Sequence, residues 1–130
     1  MTDARRALVV DDDASIRLLV KRILMRHHFE VEVARDGAEA LEKIIEGRPY
    51  EVIVLDLMMP RIDGNGVIQY LAEHCPERLH HVIVMTAFGA SALDKVRPPI
   101  SRFLAKPFNV DELVAEVNQA VWPGGTIQGA

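Results

Sequence analysis

Three short apolar runs of this chain each end in charged side chains that one site could share. The charged residues at these ends are Asp11 with Asp12 and Asp13, then Asp56, and finally Lys106. Carboxylates that are brought together repel one another unless a cation lies among them. The set therefore predicts a site for a hard divalent metal such as Mg²⁺. It also offers Asp56 as a nucleophile toward phosphorus.

The elements that would position these side chains are the strands of a parallel sheet. Continuous apolar runs separated by helical patterns are typical of strands that are buried on both faces. The predicted strands are residues 7–10, 30–34, 52–55, 81–85 and 103–105. Because the carboxyl ends of parallel strands meet at one edge of a sheet, we expect the charged residues to lie close together.

Apolar residues at helical spacing lie between the strands. The positions expected to face the core are Ile16, Leu19, Val20, Ile23 and Leu24, then Ala38, Leu41, Ile44 and Ile45, then Val67, Ile68 and Leu71, and finally Leu113, Val114, Val117 and Val121. Asp13 is a candidate N-cap, and Asn109 with Glu112 resembles a capping box. Asp36-Gly37 opens the second helix, and Gly47 is placed to close it.

Repeated βα units predict an α/β fold of the (βα)5 type, which is a doubly wound, flavodoxin-like, five-stranded parallel sheet. The strand at 30–34 alternates apolar and polar residues, which suits a sheet edge, whereas the strand at 52–55 is apolar on both faces and suits the centre. The strand order 2-1-3-4-5 puts the switch point between strands 1 and 3, where ligands of such folds bind. The aspartates follow these two strands.

Composition limits the class of protein. The 130 residues suffice for a single core, and the net charge of −4 argues against a nucleic-acid surface. Cys75 is the only cysteine, so an internal disulfide is impossible and a reducing compartment is favoured. No apolar stretch approaches the roughly 20 residues that span a bilayer, and the start is unlike a signal peptide. We expect a cytoplasmic protein that contacts neither nucleic acid nor membrane.

The chain resembles the receiver domain of two-component response regulators, the family that includes the single-domain chemotaxis regulators. The resemblance rests on an ordered set of residues at the strand ends, namely Asp11-Asp12, Asp56, Thr86 and Lys106-Pro107. It covers residues 6–122 as the receiver domain and leaves 123–130 as a tail or the start of a linker. It implies a Mg²⁺-dependent phosphoacceptor that is served by a sensor histidine kinase or a histidine phosphotransfer protein and that switches the surface contacting an unknown output partner.

The resemblance also implies a role for each residue of the set. Asp56 would accept the phosphoryl group, and Lys106 would pair with Asp56 and then with a phosphoryl oxygen. Mg²⁺, with Mn²⁺ as a possible substitute, would be held directly by Asp12 and largely through water by Asp11. Asp56 and the backbone carbonyl of Met58 would complete its coordination.

Two further residues are implied to act in switching. Thr86 would donate its hydroxyl to the phosphate, although a β-branched residue also suits a strand end by propensity alone. Phe103 occupies the position of the family's aromatic switch residue, and a purely packing role fits it equally well. The Lys106-Pro107 bond is usually cis in the family.

Two regions depart from typical receivers. Residues 91–96 allow only a short helix before Pro98 and Pro99, so we expect a shortened or irregular helix between strands 4 and 5 and therefore a monomer. Met58 and Phe88 stand two residues after Asp56 and Thr86, where apolar side chains would orient no water. They predict slow self-dephosphorylation and a long-lived phosphorylated state.

Two rival functions remain open. An aspartyl-phosphate hydrolase on a similar sheet would need a second Asp two residues after its nucleophile, and that position is Met58. A degenerate receiver that only binds partners would not need the intact acids, Thr86 or Lys106. We expect a protein that catalyses only its own phosphorylation and slow autodephosphorylation. Neither the histidine pairs nor Cys75 has the spacing or partner of a metal or catalytic site.

Overall fold

The computed structural model describes residues 5–46, 49–57, 64–86 and 102–121, and the strands and helices within these ranges alternate along the chain. The strands are β1 (Arg5–Val10), β2 (Phe29–Ala34), β3 (Val52–Asp56), β4 (Val82–Thr86) and β5 (Phe103–Ala105). The helices are α1 (Ala14–Arg26), α2 (Gly37–Ile45), α3 (Gly64–His74) and α4 (Val110–Val121), with a 3-10 helix at Pro76–His81.

The strands form one parallel sheet in the order β2-β1-β3-β4-β5, as the sequence predicted. The paired residues explain how the functional edge is assembled. Val10 pairs with Leu55 across β1 and β3, so the next residues of the two strands, Asp11 and Asp56, come out side by side. Ala105 pairs with Thr86 across β5 and β4, so Lys106 emerges at the same edge.

Alternate residues of the central strands supply two separate cores, because successive side chains of a strand point to opposite faces. Leu8 and Ile53 pack in the cluster that includes residues of α2 and α3. Val9 and Val54 pack in the cluster that includes residues of α1 and α4. All five residues of β3 are buried, which confirms its central position.

Two apolar positions were predicted wrongly as core residues. Leu19 of α1 is 45% exposed and Ile45 of α2 is 61% exposed. Successive helix residues are rotated by about 100° about the axis, so Leu19 and Ile45 point outward while their neighbours Val20 and Ile44 are buried, as predicted. The predicted fourth strand also began one residue early, because His81 belongs to the 3-10 helix.

The predicted helix caps are present. The Asp13 carboxylate accepts hydrogen bonds from the backbone N–H groups of Ser15 and Ile16, at 2.8 and 3.3 Å. Asn109 and Glu112 form a reciprocal capping box with distances of 2.8 and 2.9 Å. Gly47, the segment 91–96 and the tail 123–130 lie outside the described residues, so the expectations for them stay predictions.

In the described ranges, no helix combines the length and the apolar character that crossing a membrane requires.

Candidate functional site

Three carboxylates converge at the carboxyl edge of β1 and β3. Asp11, Asp12 and Asp56 each offer one oxygen atom, and these atoms all lie within 4.8 Å of one another. Asp11 is 0% exposed and Asp56 is 4% exposed, whereas Asp12 lies open to solvent. The group is therefore buried on one side and accessible on the other.

A single ammonium group bridges two of these carboxylates. The Nζ of Lys106 lies 3.0 Å from Oδ2 of Asp11 and 3.4 Å from Oδ2 of Asp56. Burial by itself would lower the pKa of Lys106, but the hydrogen bond and charge of Asp11 and the charge of Asp56 outweigh it and raise that pKa. The side chain therefore stays charged and offsets part of the repulsion among the acids.

Local hydrogen bonds fix the loop that carries the first two acids. Oδ1 of Asp11 accepts a hydrogen bond of 2.9 Å from the backbone N–H of Asp13. Oδ2 of Asp11 accepts one from the ammonium of Lys106. The backbone carbonyl of Asp11 accepts a hydrogen bond of 2.9 Å from Nη1 of Arg17. Both carboxylate oxygens of Asp11 thus already have a donor from the protein.

Thr86 lies at the same edge, at the end of β4. It is 1% exposed, and its backbone carbonyl accepts the N–H of Lys106 at 2.8 Å. This bond links the backbone of Thr86, whose side chain carries the hydroxyl, to the backbone of Lys106, whose side chain carries the ammonium. Thr86 and Lys106 therefore occupy fixed positions relative to each other.

Phe103 lies away from this edge, at the first position of β5. It pairs with Val84 and packs, partly buried, against the core cluster on the α2–α3 face of the sheet. The Lys106-Pro107 peptide bond is cis, as the family resemblance implies. Met58 and Phe88, which the sequence analysis singled out, lie outside the described residues.

Sequence reasoning missed the contribution of Gly64 to the site. A Cβ atom at this position would lie 2.6 Å from the carbonyl oxygen of Asp56 and 2.8 Å from Cα of Leu57. The N–H of Gly64 also donates to the carbonyl of Leu57 at 3.1 Å. The start of α3 therefore packs directly on the backbone of Asp56, which only glycine permits. The sequence signal was Asp63-Gly64 ahead of an apolar helical pattern.

The donor set suits a hard cation. Carboxylate oxygens are the ligands that Mg²⁺ and Mn²⁺ prefer, and Mg²⁺ keeps several waters when it binds to proteins. The accessible side next to Asp12 leaves room for such waters. Among the described residues, only this cluster brings three potential metal-ligating side chains together, and neither histidine pair belongs to it.

Comparisons with known proteins agree with this geometry. The family model of the response regulator receiver domain matches residues 7–118. Response regulator MprA of Mycobacterium sp. (strain KMS) is 38% identical over 115 residues, which are 86% of this chain and 48% of MprA. The chemotaxis protein CheY of Bacillus subtilis (strain 168) is 31% identical over 121 residues, which are 91% of this chain and 98% of CheY.

A solved structure is similar over nearly the same length. The response regulator TrrA of Thermotoga maritima, in complex with Mg²⁺ and BeF, has a TM-score of 0.77 and 32% sequence identity, with 89% of this chain and 98% of that chain covered. The chain thus spans about half the length of the MprA relatives and nearly all of CheY.

Proposed function

This chain belongs to the family of response regulator receiver domains, and on that premise we propose that it is the phosphoacceptor of a two-component phosphorelay. A sensor histidine kinase or a histidine phosphotransfer protein would supply the phosphoryl group. The observation that carries the proposal is the position of Asp56, which ends a fully buried strand beside two further carboxylates and within 3.4 Å of the Lys106 ammonium.

The transfer step follows from the groups present. A carboxylate oxygen of Asp56 attacks the phosphorus of a phosphohistidine, and an O–P bond forms while the P–N bond breaks. The electron pair of the P–N bond stays on the imidazole nitrogen, which takes up a proton. Lys106, already charged and adjacent, stabilises the negative charge on the transferring oxygens, and the hydroxyl of Thr86 donates to the same group.

The acid pair would hold the metal that this transfer needs. Asp12, whose carboxylate is exposed, would bind the metal directly, and Asp11, whose two oxygens already accept protein donors, would bind it largely through water. Asp56 and the backbone carbonyl of Met58 would complete the set, and Mn²⁺ could replace Mg²⁺. Bound Mg²⁺ offsets negative charge on the phosphoryl oxygens. The similar response regulator TrrA was solved in complex with Mg²⁺ and BeF, which supports Mg²⁺ as the metal here.

Phosphorylation would act on a surface away from Asp56. Thr86 follows the phosphoryl group, and Phe103 on the neighbouring strand repacks against the core cluster of the α2–α3 face, which shifts the population toward a second packing. We propose a monomer in the cytoplasm that has receiver bounds at 6–122, contacts an unidentified output partner, and binds neither nucleic acid nor membrane.

The test is labelling with acetyl phosphate and Mg²⁺, followed by intact-mass spectrometry. The wild-type protein should gain one phosphoryl group, and Asp56→Asn should gain none, because an amide is a poor nucleophile. Asp13→Asn is the matched control and should label normally, since Asp13 caps α1. Full labelling of Asp56→Asn would move the acceptor elsewhere. Sustained turnover of a phosphomonoester would support the hydrolase instead.

A further inference from the structure

We propose that Arg17 is a positioning residue, which holds the metal-binding acids in place without touching the metal. The inference rests on the proposed function and adds to it a residue outside the set that the family resemblance singled out. The segment that Arg17 holds is the acidic loop, defined here as Asp11-Asp12-Asp13, which joins β1 to α1.

Arg17 contacts the acidic loop at both ends. Its guanidinium Nη1 donates to the carbonyl of Asp11 at 2.9 Å, and its backbone N–H donates to the carbonyl of Asp13 at 3.0 Å. Over the described part of the chain, the Asp11 carbonyl is the acceptor that the half-buried guanidinium contacts. The backbone bond is the ordinary helical bond that any residue at this position would make, so the guanidinium bond is the contact that is specific to Arg17.

The first of these contacts bears directly on Asp12. The Asp11 carbonyl and the Asp12 N–H belong to the same peptide plane, and a peptide unit is rigid. Within the described ranges no donor contacts the Asp12 carboxylate, which lies exposed. The position of Asp12 therefore depends on its backbone, and the bond from Arg17 holds the carbonyl side of that peptide plane.

Positioning and charge have opposite effects on the metal, and this makes the inference testable. A nearby positive charge repels Mg²⁺, so removal of the charge alone would tighten metal binding. Loss of the bond to the Asp11 carbonyl would loosen the loop and weaken metal binding. Substitution of outer residues that orient metal ligands typically costs at least about tenfold in affinity.

The experiment measures Mg²⁺ binding by isothermal titration calorimetry with unphosphorylated full-length protein. Arg17→Met should raise the Kd for Mg²⁺ about tenfold, and Arg17→Lys, which keeps a charged donor, should recover most of the affinity. Arg22→Met is the matched control, because Arg22 is exposed on the same helix, and its Kd should equal that of the wild-type protein or fall slightly. Thermal unfolding in EDTA verifies that each variant is folded.

The outcomes separate this inference from the proposed function. Wild-type protein that binds no Mg²⁺ would refute the proposed function. Wild-type binding together with unchanged or tighter binding by Arg17→Met would refute only the positioning role. If Arg17→Met does not fold, Arg17→Gln takes its place, because a polar side chain suits the helix surface. The glutamine side chain is too short to reach the Asp11 carbonyl, so the Kd of this variant for Mg²⁺ should rise. Removal of the charge alone would lower that Kd.

Discussion

The ammonium of Lys106 lies closer to Asp11 than to Asp56, at 3.0 Å against 3.4 Å. Asp11 is fully buried and lies 95 positions away in the chain, so this ion pair joins the first strand of the sheet to the last. Lys106 therefore has a structural partner in Asp11 as well as the partner that the proposed chemistry requires. Loss of its charge would leave a buried carboxylate without a cation.

Lys106→Met should accordingly lower the free energy of unfolding in EDTA. Breaking a fully buried pair costs about 3–5 kcal/mol, and the partial exposure of Lys106 reduces this to about 2 kcal/mol. Urea denaturation measures the change. Lys43→Met is the control, since its 3.9 Å pair with Glu32 is weak and should contribute below about 1 kcal/mol. An equal loss of unfolding free energy in both variants would show that the buried ion pair contributes no more to stability than the weak pair of Lys43.

Asp12→Ala should remove Mg²⁺ binding while stabilising the metal-free protein. One of three repelling carboxylates disappears, and Asp12 is exposed, so no packing is lost. Differential scanning calorimetry should show a higher Tm in EDTA and no further rise with Mg²⁺. Asp13→Ala should have a lower Tm in EDTA, because loss of the N-cap costs about 1 kcal/mol. Its Tm should still rise with Mg²⁺. A Mg²⁺ response that persists in Asp12→Ala would exclude Asp12 as a ligand.

Gly64→Ala should destabilise the protein by about 1–3 kcal/mol, because the added methyl group would overlap the Asp56 carbonyl at 2.6 Å and force α3 away. Phosphorylation of Asp56 should slow in parallel. Gln69→Ala, an exposed position on the same helix, should change stability by less than about 0.5 kcal/mol. Chemical denaturation measures the stability of both variants. A similar loss in Gln69→Ala would show that any substitution in α3 is destabilising and that the overlap at Gly64 is not the cause.

His28→Gly should stabilise the protein by about 1 kcal/mol. His28 has φ of 71° in the turn after α1, a left-handed conformation that costs a residue with a Cβ atom about this much. His27→Gly should give no gain, because its φ of −102° is ordinary for any residue. Thermal unfolding of both variants provides the comparison. A Tm for His28→Gly at or below that of the wild-type protein would show that the turn is not strained.

Met58→Asn and Phe88→Glu should shorten the lifetime of the phosphorylated protein. A polar side chain two residues after Asp56 or Thr86 would be able to orient the attacking water, which an apolar side chain would not. The decay of the phosphorylated species, followed by mass spectrometry, gives the rate for each variant. Unchanged decay with intact labelling would mean that these two side chains do not set the lifetime.

The sequence predicted those features that depend on the strand ends. Asp56 follows an uninterrupted apolar run, and such a run has only one reasonable placement, in the centre of a parallel sheet. Once the sheet is parallel, the residues after β1, β3 and β5 must meet. The caps at Asp13 and Asn109 were predictable for a similar reason, since they depend on local hydrogen bonds.

Features that depend on the rotation of helices or on backbone packing were not predictable. Leu19 and Ile45 fit the helical spacing, but the exact rotation of each helix left them exposed. Gly64 stood in the predicted loop ahead of α3, and its contact with the Asp56 carbonyl could not be foreseen, because that contact exists only between two folded segments. The bond from Arg17 to the Asp11 carbonyl depends likewise on a side-chain rotamer.

The connection of Lys106 to the Thr86 carbonyl and to Asp11 has a consequence for protein synthesis. All three acids and all five strands precede Lys106 in the chain, so they leave the ribosome before it does. A nascent chain that ends before Lys106 lacks the ammonium that offsets its carboxylates, and one that ends before β5 leaves one edge of β4 unpaired. If the chain is the proposed phosphoacceptor, an unfinished chain would lack the cation that stabilises the transferred phosphoryl group, so it would compete poorly with complete molecules for the kinase.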